Sequence, residues 1–206
     1  MAGKCGRPAK NKNNNDSKQA IINATIALIK ESGSDSITVR KVCEKAGLSI
    51  GTFYHYFRDK DDLMMYFLRE ASFEKIDLQT VISDVAGRIS ELYMCLVNRY
   101  IELGLDFMKS FYSTGNKSLS AYMGEKDGAF EAGTVMARCE MELHAASKAG
   151  YLKSSADIHC LSMDICTIVK GCVFEWCLNN GMMDIQTTLH RIIKNYLFSY
   201  TRAVYK

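Results

Sequence analysis

Residues 38–63 read TVRKVCEKAGLSIGTFYHYFRDKDDL, and their punctuation sets out two short helices joined by a tight turn. Thr38 carries the short hydroxyl that accepts a bond from the free amides of a first helical turn. Val39, Val42 and Cys43 then recur at the spacing of one helix face, up to Ala46. Gly47 follows, where a chain leaving a helix favours a left-handed residue, and Leu48 plugs the space between the two helices. Ser49 supplies a second capping hydroxyl. In the helix it opens, Phe53 and Phe57 lie four residues apart and point back into a core. Ser49, Ile50, Gly51, Thr52, Tyr54 and His55 are left on the outer side. Small, hydroxyl and aromatic-polar groups on an exposed second helix are the layout of a helix-turn-helix, whose second helix lies in the DNA major groove.

Outward from this segment the pattern stays helical. Asp59 predicts the cap of a further helix, with Asp62 three residues on as an imperfect capping box, running from about Asp61 to Lys75. Upstream, a first helix is predicted to start near Asp16 or Ser17. Its face is Ile22, Ile26 and Ile29 beside Thr25 and Leu28, and Gly33 ends it. Further helices are predicted at about 80–112, 126–150, 155–179 and 184–204. Gly104 divides the first of these, and breaks fall at Ser113–Lys117, Gly150 and Asn179–Gly181. One proline, Pro8, occurs in 206 residues. Strand-rich folds need many turns and helix interiors exclude proline, so the fold expected is all-α. It divides into a flexible basic arm at 1–15, a three-helix head at 16–62 and a helical body at 63–206, with the helix-turn-helix at about 38–57.

Charge is unevenly placed. Residues 1–68 carry eleven Lys/Arg against seven Asp/Glu, and residues 69–206 carry fifteen against sixteen. A basic head on a near-neutral body suits contact with nucleic acid. No segment reaches the run of about 18 apolar residues that a membrane span requires. The basic start, MAGKCGRPAKNKNNND, has no apolar stretch behind it and so does not read as a secretory signal. Eight cysteines without close metal-type spacing read as reduced thiols, which places the protein in the cytoplasm. No Ser/Cys–His–acid arrangement, phosphate-cradling loop or metal-ligand motif supports catalysis, so no cofactor, metal or enzyme activity is expected.

The Ile37–Val39 entry, the Ala46-Gly47-Leu48-Ser49 turn, the run from Gly51 to Phe57, and Lys60 followed by Leu63 resemble the tetracycline-repressor (TetR) family of bacterial transcriptional regulators. The resemblance covers residues 16–68; beyond them only length and helical content agree. It implies a homodimer whose two heads read half-sites of a palindromic operator. It also implies a small molecule in the body that alters the spacing of the heads and releases the DNA.

On the head, Ile50 and the Thr52 methyl suit thymine methyls, while Ser49, Tyr54 and His55 suit phosphates or base edges. Gly51, lacking a side chain, admits close approach. Thr38 and Lys60, at the starts of their helices, suit phosphates, and Arg40 and Lys41 add charge. In the arm, Lys4-Cys5-Gly6-Arg7-Pro8 is an extended tract that would lay Arg7 in a narrow minor groove; a solvated tail explains it equally. In the body, Tyr93, Tyr100, Phe107 and Phe111 offer aromatic surface to an apolar or aromatic effector. Phe130, Met136, Cys139 and Trp176 extend it. Glu140, Glu142 and His144 add polar groups that would give selectivity. The last two helices have apolar stripes too wide for one neighbour, so the dimer seam is expected there, at about 155–179 and 184–204. Two alternatives stay open: an architectural or division-linked DNA binder without an effector, and a thiol- or metal-responsive regulator using Cys139 with His144, or Cys160, Cys166, Cys172 and Cys177.

Overall fold

A computed structural model describes residues 14–33, 36–69, 72–112 and 124–202 of the protein. It is all-α: among the described residues there are no strands, only isolated antiparallel bridges at Lys126–Ala129 and Leu152–Thr201. The chain divides into two compact units, Met1–Leu63 and Met64–Lys206. The expected arm at 1–15, with Arg7, lies almost wholly outside the described residues, as does the break expected at Ser113–Lys117.

The first unit holds α1 (Asn14–Ser32), α2 (Val39–Ala46) and α3 (Ile50–Tyr56), which pack on one another pairwise. Helix α1 begins before the expected caps, so Asp16 lies inside its first turn, where a negative charge suits the positive helix end. Its buried face keeps Ile22 and Thr25 of the expected one but not Ile26. Ile21 and Thr25 are fully buried, whereas Ile26 is 38% exposed. The apolar positions of α1 admit either phase, and packing against α2 selects one. The turn forms as its chemistry dictates. Thr38 Oγ1 accepts from the Lys41 amide at 3.2 Å, and Ser49 Oγ accepts from the Thr52 amide at 3.1 Å. Gly47 sits at φ 64°, and the Leu48 amide donates back to Cys43 O at 3.0 Å. Phe53 and Phe57 are buried with ring centroids 5.7 Å apart, each burial contributing about 2 kcal/mol.

Helix α4 (Lys60–Arg69) opens as expected: Asp59 Oδ1 accepts from the Asp62 amide, and Asp62 Oδ2 accepts from the Arg58 amide. It ends well before Lys75. Residues 72–84 are not helical, and the next helix, α5 (Val85–Leu103), starts at an Asp84 cap. Gly104, at φ 92°, divides α5 from α6 (Leu105–Phe111) as expected. The helix expected from 126 begins only at Val135: α7 (Val135–Lys148) is capped by Thr134, and Gly128 and Gly133 hold positive φ in the loop before it. Helices α8 (Ile158–Leu178) and α9 (Ile185–Phe198) complete the body. Helix α5 packs on α6, α7 and α9, and α8 packs on α6, α7 and α9.

Side chains replace the missing helix between α4 and α5. Arg138 Nη1 donates to Phe73 O at 3.0 Å and to Glu74 O, and its Nη2 donates to Ile76 O at 3.0 Å. Arg88 Nη1 donates to Leu78 O and Thr80 O, and Glu91 accepts from the amides of Gln79 and Thr80 at 2.8 Å each. Glu142, only 8% exposed, bridges the two guanidinium groups at 2.6 Å and 2.7 Å. Burial alone would raise its carboxyl pKa. The bonds from Arg88 and Arg138 outweigh burial and hold the carboxyl below the ordinary range, so this support is present at neutral pH and is lost as pH falls. Replacing Glu142 by Ala leaves two arginines unpaired, and denaturant unfolding is expected to show a loss of about 3 kcal/mol.

Candidate functional site

The outer side of α3 is open. Ile50 is 48% exposed and Tyr54 56%, with His55, Ser49 and Gly51 also exposed, while Phe53 between them is fully buried. The Phe53 ring meets Tyr54 edge-on at 5.5 Å, fixing the base of the side chain that projects. Ser49 Oγ and Thr52 Oγ1 are 2.8 Å apart and share a hydrogen bond. A Cβ built on Gly51 would meet only Ser49 Oγ, at 3.7 Å, an ordinary contact. Nothing among the described residues of the head requires glycine at this position.

Thr38, Arg40 and Lys41 are all exposed on α2 or its cap, and Lys60, at the start of α4, is half-buried. Arg40 pairs with Glu44 at 2.9 Å, with both side chains largely exposed. Such a pair is worth a few tenths of a kcal/mol and yields readily to a phosphate. Arg58, in the turn between α3 and α4, was not singled out by sequence. Its side chain is 79% exposed and its contact to Asp62 is a loose 3.5 Å. Only its position beside the α4 cap could have flagged it.

The eight expected effector residues are all buried, but they do not form one lining. Tyr100 and Phe107 both contact Phe111, at 6.5 Å and 5.7 Å between ring centroids. Tyr93 on α5 lies beside Cys139 on α7, with its hydroxyl buried and lacking a well-formed hydrogen bond. Burial, reinforced by the neighbouring thiols Cys139 and Cys166, raises the Tyr93 pKa. Met136 is buried one turn earlier on α7. Phe130 is elsewhere, stacked on His159 at 4.9 Å, and Trp176 borders Gly181 near the end of α8. An open apolar cleft of about 310 Å³ lies between α8 and α9, lined by Ile168, Gly171, Cys172, Glu175, Met183, Thr188 and Ile192. A second, of about 240 Å³, is lined by Lys109, Tyr112, Phe174, Cys177, Leu178 and Asn180. None of the eight lines either cleft. Of the polar groups expected to give selectivity, Glu142 is committed to the two arginines, Glu140 to His159, and His144 is exposed.

Burial pushes the thiols of Cys139 up to about 12 and of Cys166 and Cys177 up to about 11, so all three are protonated at neutral pH. Among the described residues no group of three or more His, Cys, Asp or Glu is arranged to hold a metal ion, and no helix is long and apolar enough to cross a membrane.

His159 sits between two carboxylates, with Nδ1 2.8 Å from Glu140 and Nε2 2.9 Å from Glu125. Two acceptors require two donors, and only the imidazolium has them. The bond to Glu125, then that to Glu140, raise the imidazole pKa. The folded pKa being the higher one, this clasp stabilises the protein at low pH and is lost as pH rises through it. An NMR titration is expected to place His159 above the ordinary 6.5. Replacing both glutamates by Gln should bring it back.

The family model described as bacterial regulatory proteins, tetR family, matches residues 21–66. The repressor KstR of Mycolicibacterium smegmatis is 34% identical over 70 residues, 34% of each chain. The regulator BetI of Proteus mirabilis is 39% identical over 57 residues, 28% of each. These matches span about a third of the curated relatives' length. At the level of fold the likeness extends further. SmeT, the repressor of the Stenotrophomonas maltophilia multidrug efflux pump SmeDEF, matches with a TM-score of 0.58 at 16% identity, over 91% of this chain and 93% of that one. A SmeT–triclosan complex matches with a TM-score of 0.58 at 18% identity, over 90% and 92%. Residues 21–66 thus carry the helix-turn-helix domain of the tetR family of bacterial regulatory proteins, and the fold of the whole chain is similar to that of SmeT.

Proposed function

We propose that this chain is a DNA-binding transcriptional repressor that works as a homodimer and is released from a palindromic operator by a small apolar or aromatic effector. The outer side of α3 carries the proposal: Ile50, Tyr54 and His55 exposed around a glycine that its own fold leaves unobstructed. Ile50 reads a thymine methyl, Tyr54 and His55 reach phosphates or base edges, and Thr38, Lys41 and Lys60 hold the backbone on either side. KstR is named as a transcriptional repressor, which supports repression as the sign of the effect. SmeT in complex with triclosan supports a small-molecule effector in a body of this fold. The effector favours one body conformation over another, so DNA affinity falls by a population shift and DNA weakens the effector in return.

Dimerisation is supported by what α8 and α9 leave uncovered. Phe174 is 46% exposed and Leu178 62%, both on the cleft they share with Tyr112, and Phe198 is 79% exposed; the separate cleft between α8 and α9 has open space above Gly171. Exposed apolar surface of this kind, on the last two long helices, suits a second copy of the chain.

Replacing Gly51 by Ala separates fold from function. Thermal unfolding should be unchanged or slightly raised, since Ala favours a helix over Gly by up to about 1 kcal/mol. Affinity for the duplex selected by the wild-type protein from a random pool should fall at least tenfold. The pair Thr52→Ala and Tyr54→Ala should do the same, and tight binding by either variant would refute α3 as the reading helix. Sedimentation of the wild type at micromolar concentration should show a dimer, and Leu178→Glu, at an exposed position, should give a folded monomer.

A further inference from the structure

Residues 73–80 have no helical ladder, and side chains of α5 and α7 make most of the hydrogen bonds described for their backbone. Arg138 takes the carbonyls of Phe73, Glu74 and Ile76, Arg88 those of Leu78 and Thr80, and Glu91 the amides of Gln79 and Thr80. This strap follows α4 closely in the chain, and α4 begins at Lys60 in the head unit and ends at Arg69 in the body unit. The arginines come from the helices that carry the buried Tyr93 and Cys139. Arg138 immediately precedes Cys139 on α7, and Arg88 is five residues before Tyr93 on α5. Glu142 ties α5 to α7 through Arg88 at 2.6 Å while pairing with Arg138 on its own helix at 2.7 Å. One carboxylate therefore joins three pieces of chain: both helices and the strap.

We infer that Arg88, Glu142 and Arg138 are positioning residues that convert a change in the spacing of α5 and α7 into a change in the strap behind α4, and so into DNA affinity. This inference rests on the DNA-binding and effector reading proposed above. A guanidinium is the group suited to the task, because its fork of five donors in one plane bonds several carbonyls and a carboxylate at once. When α5 and α7 shift, Glu142 cannot satisfy both arginines in the same geometry, and the carbonyls they hold are released together. Lysine at the same place keeps the charge and the pairing with Glu142 but cannot span three carbonyls.

The test compares the full-length wild type with Arg138→Lys and, as a control, Lys153→Gln. The control removes a side-chain bond to a backbone carbonyl, that of Ser199, remote from the strap in sequence. Melting reports folding, hydrogen exchange reports the strap and α4, and binding is measured on the duplex selected by the wild type. Expected for Arg138→Lys is a folded protein whose strap amides exchange at least tenfold faster, whose α4 amides also exchange faster, and whose duplex affinity falls at least fivefold. Lys153→Gln should match the wild type in all three. A folded Arg138→Lys with a loosened strap but unchanged α4 exchange and affinity would overturn the inference, as would a strap that exchanges at the wild-type rate. Should Arg138→Lys fail to fold, Arg88→Lys, which leaves Arg138 and its three carbonyls intact, is read by the same outcomes. A wild type that selects no duplex refutes the DNA-binding reading instead, and the exchange of strap and α4 still decides whether the joint couples them.

Discussion

Backbone polar groups that leave a helix inside a protein must find partners elsewhere, and residues 72–84 are where this constraint bears hardest. The segment runs beside α5 and α7 without a ladder of its own, and Phe73 and Leu78 anchor it by burial. Five of its carbonyls are met by two guanidinium groups, and both of those groups are in turn paired with Glu142. The arrangement is interdependent. Each arginine is held in place by the carboxylate, and the carboxylate stays charged because both arginines are there. Phe73 adds a second tie, donating its amide to Gly133 O at 2.9 Å while the Arg99 guanidinium lies over its ring.

The head depends on shorter-range chemistry. Two hydroxyl caps and one left-handed glycine set the ends of α2 and α3, and Phe53 with Phe57 anchors α3 from beneath. What remains on the outside is decided by subtraction: once the phenylalanines point inward, Ile50, Tyr54 and His55 have nowhere to go but out. A surface built this way is rigid at its base and chemically varied at its tip, which suits the DNA-reading role proposed for it.

The parts legible in sequence are those with a local cause. The α2 and α3 caps, the Gly47 turn and the Gly104 break each rest on two to five adjacent residues, and each formed where expected. The misses have distant causes. The helix from Asp61 was expected to run on to Lys75, but the carbonyls of Phe73, Glu74 and Ile76 are instead taken by Arg138, more than sixty residues on. Ile26 was expected inside with Ile22 and Thr25, but the buried face is completed by Ile21 and Ala24 and leaves Ile26 out. Glu142 looked like a polar group available to a ligand until the structure placed Arg88 beside it.

For the candidate sites the same division holds. Side-chain type and helical spacing determined which residues of 49–60 face outward, because one short helix with a buried face leaves only one other. Aromatic and sulfur content could say that the body residues are buried, and all eight are. It could not say which of them meet, because Phe130, Tyr93 and Trp176 are placed by the packing of separate helices. The sequence determined a helix-turn-helix head and an all-helical body, since capping, turn geometry and proline exclusion act within a few residues. Only the tertiary structure decided the strap, its arginine joint and the clasp on His159, because each is a bond between groups that chain order keeps apart.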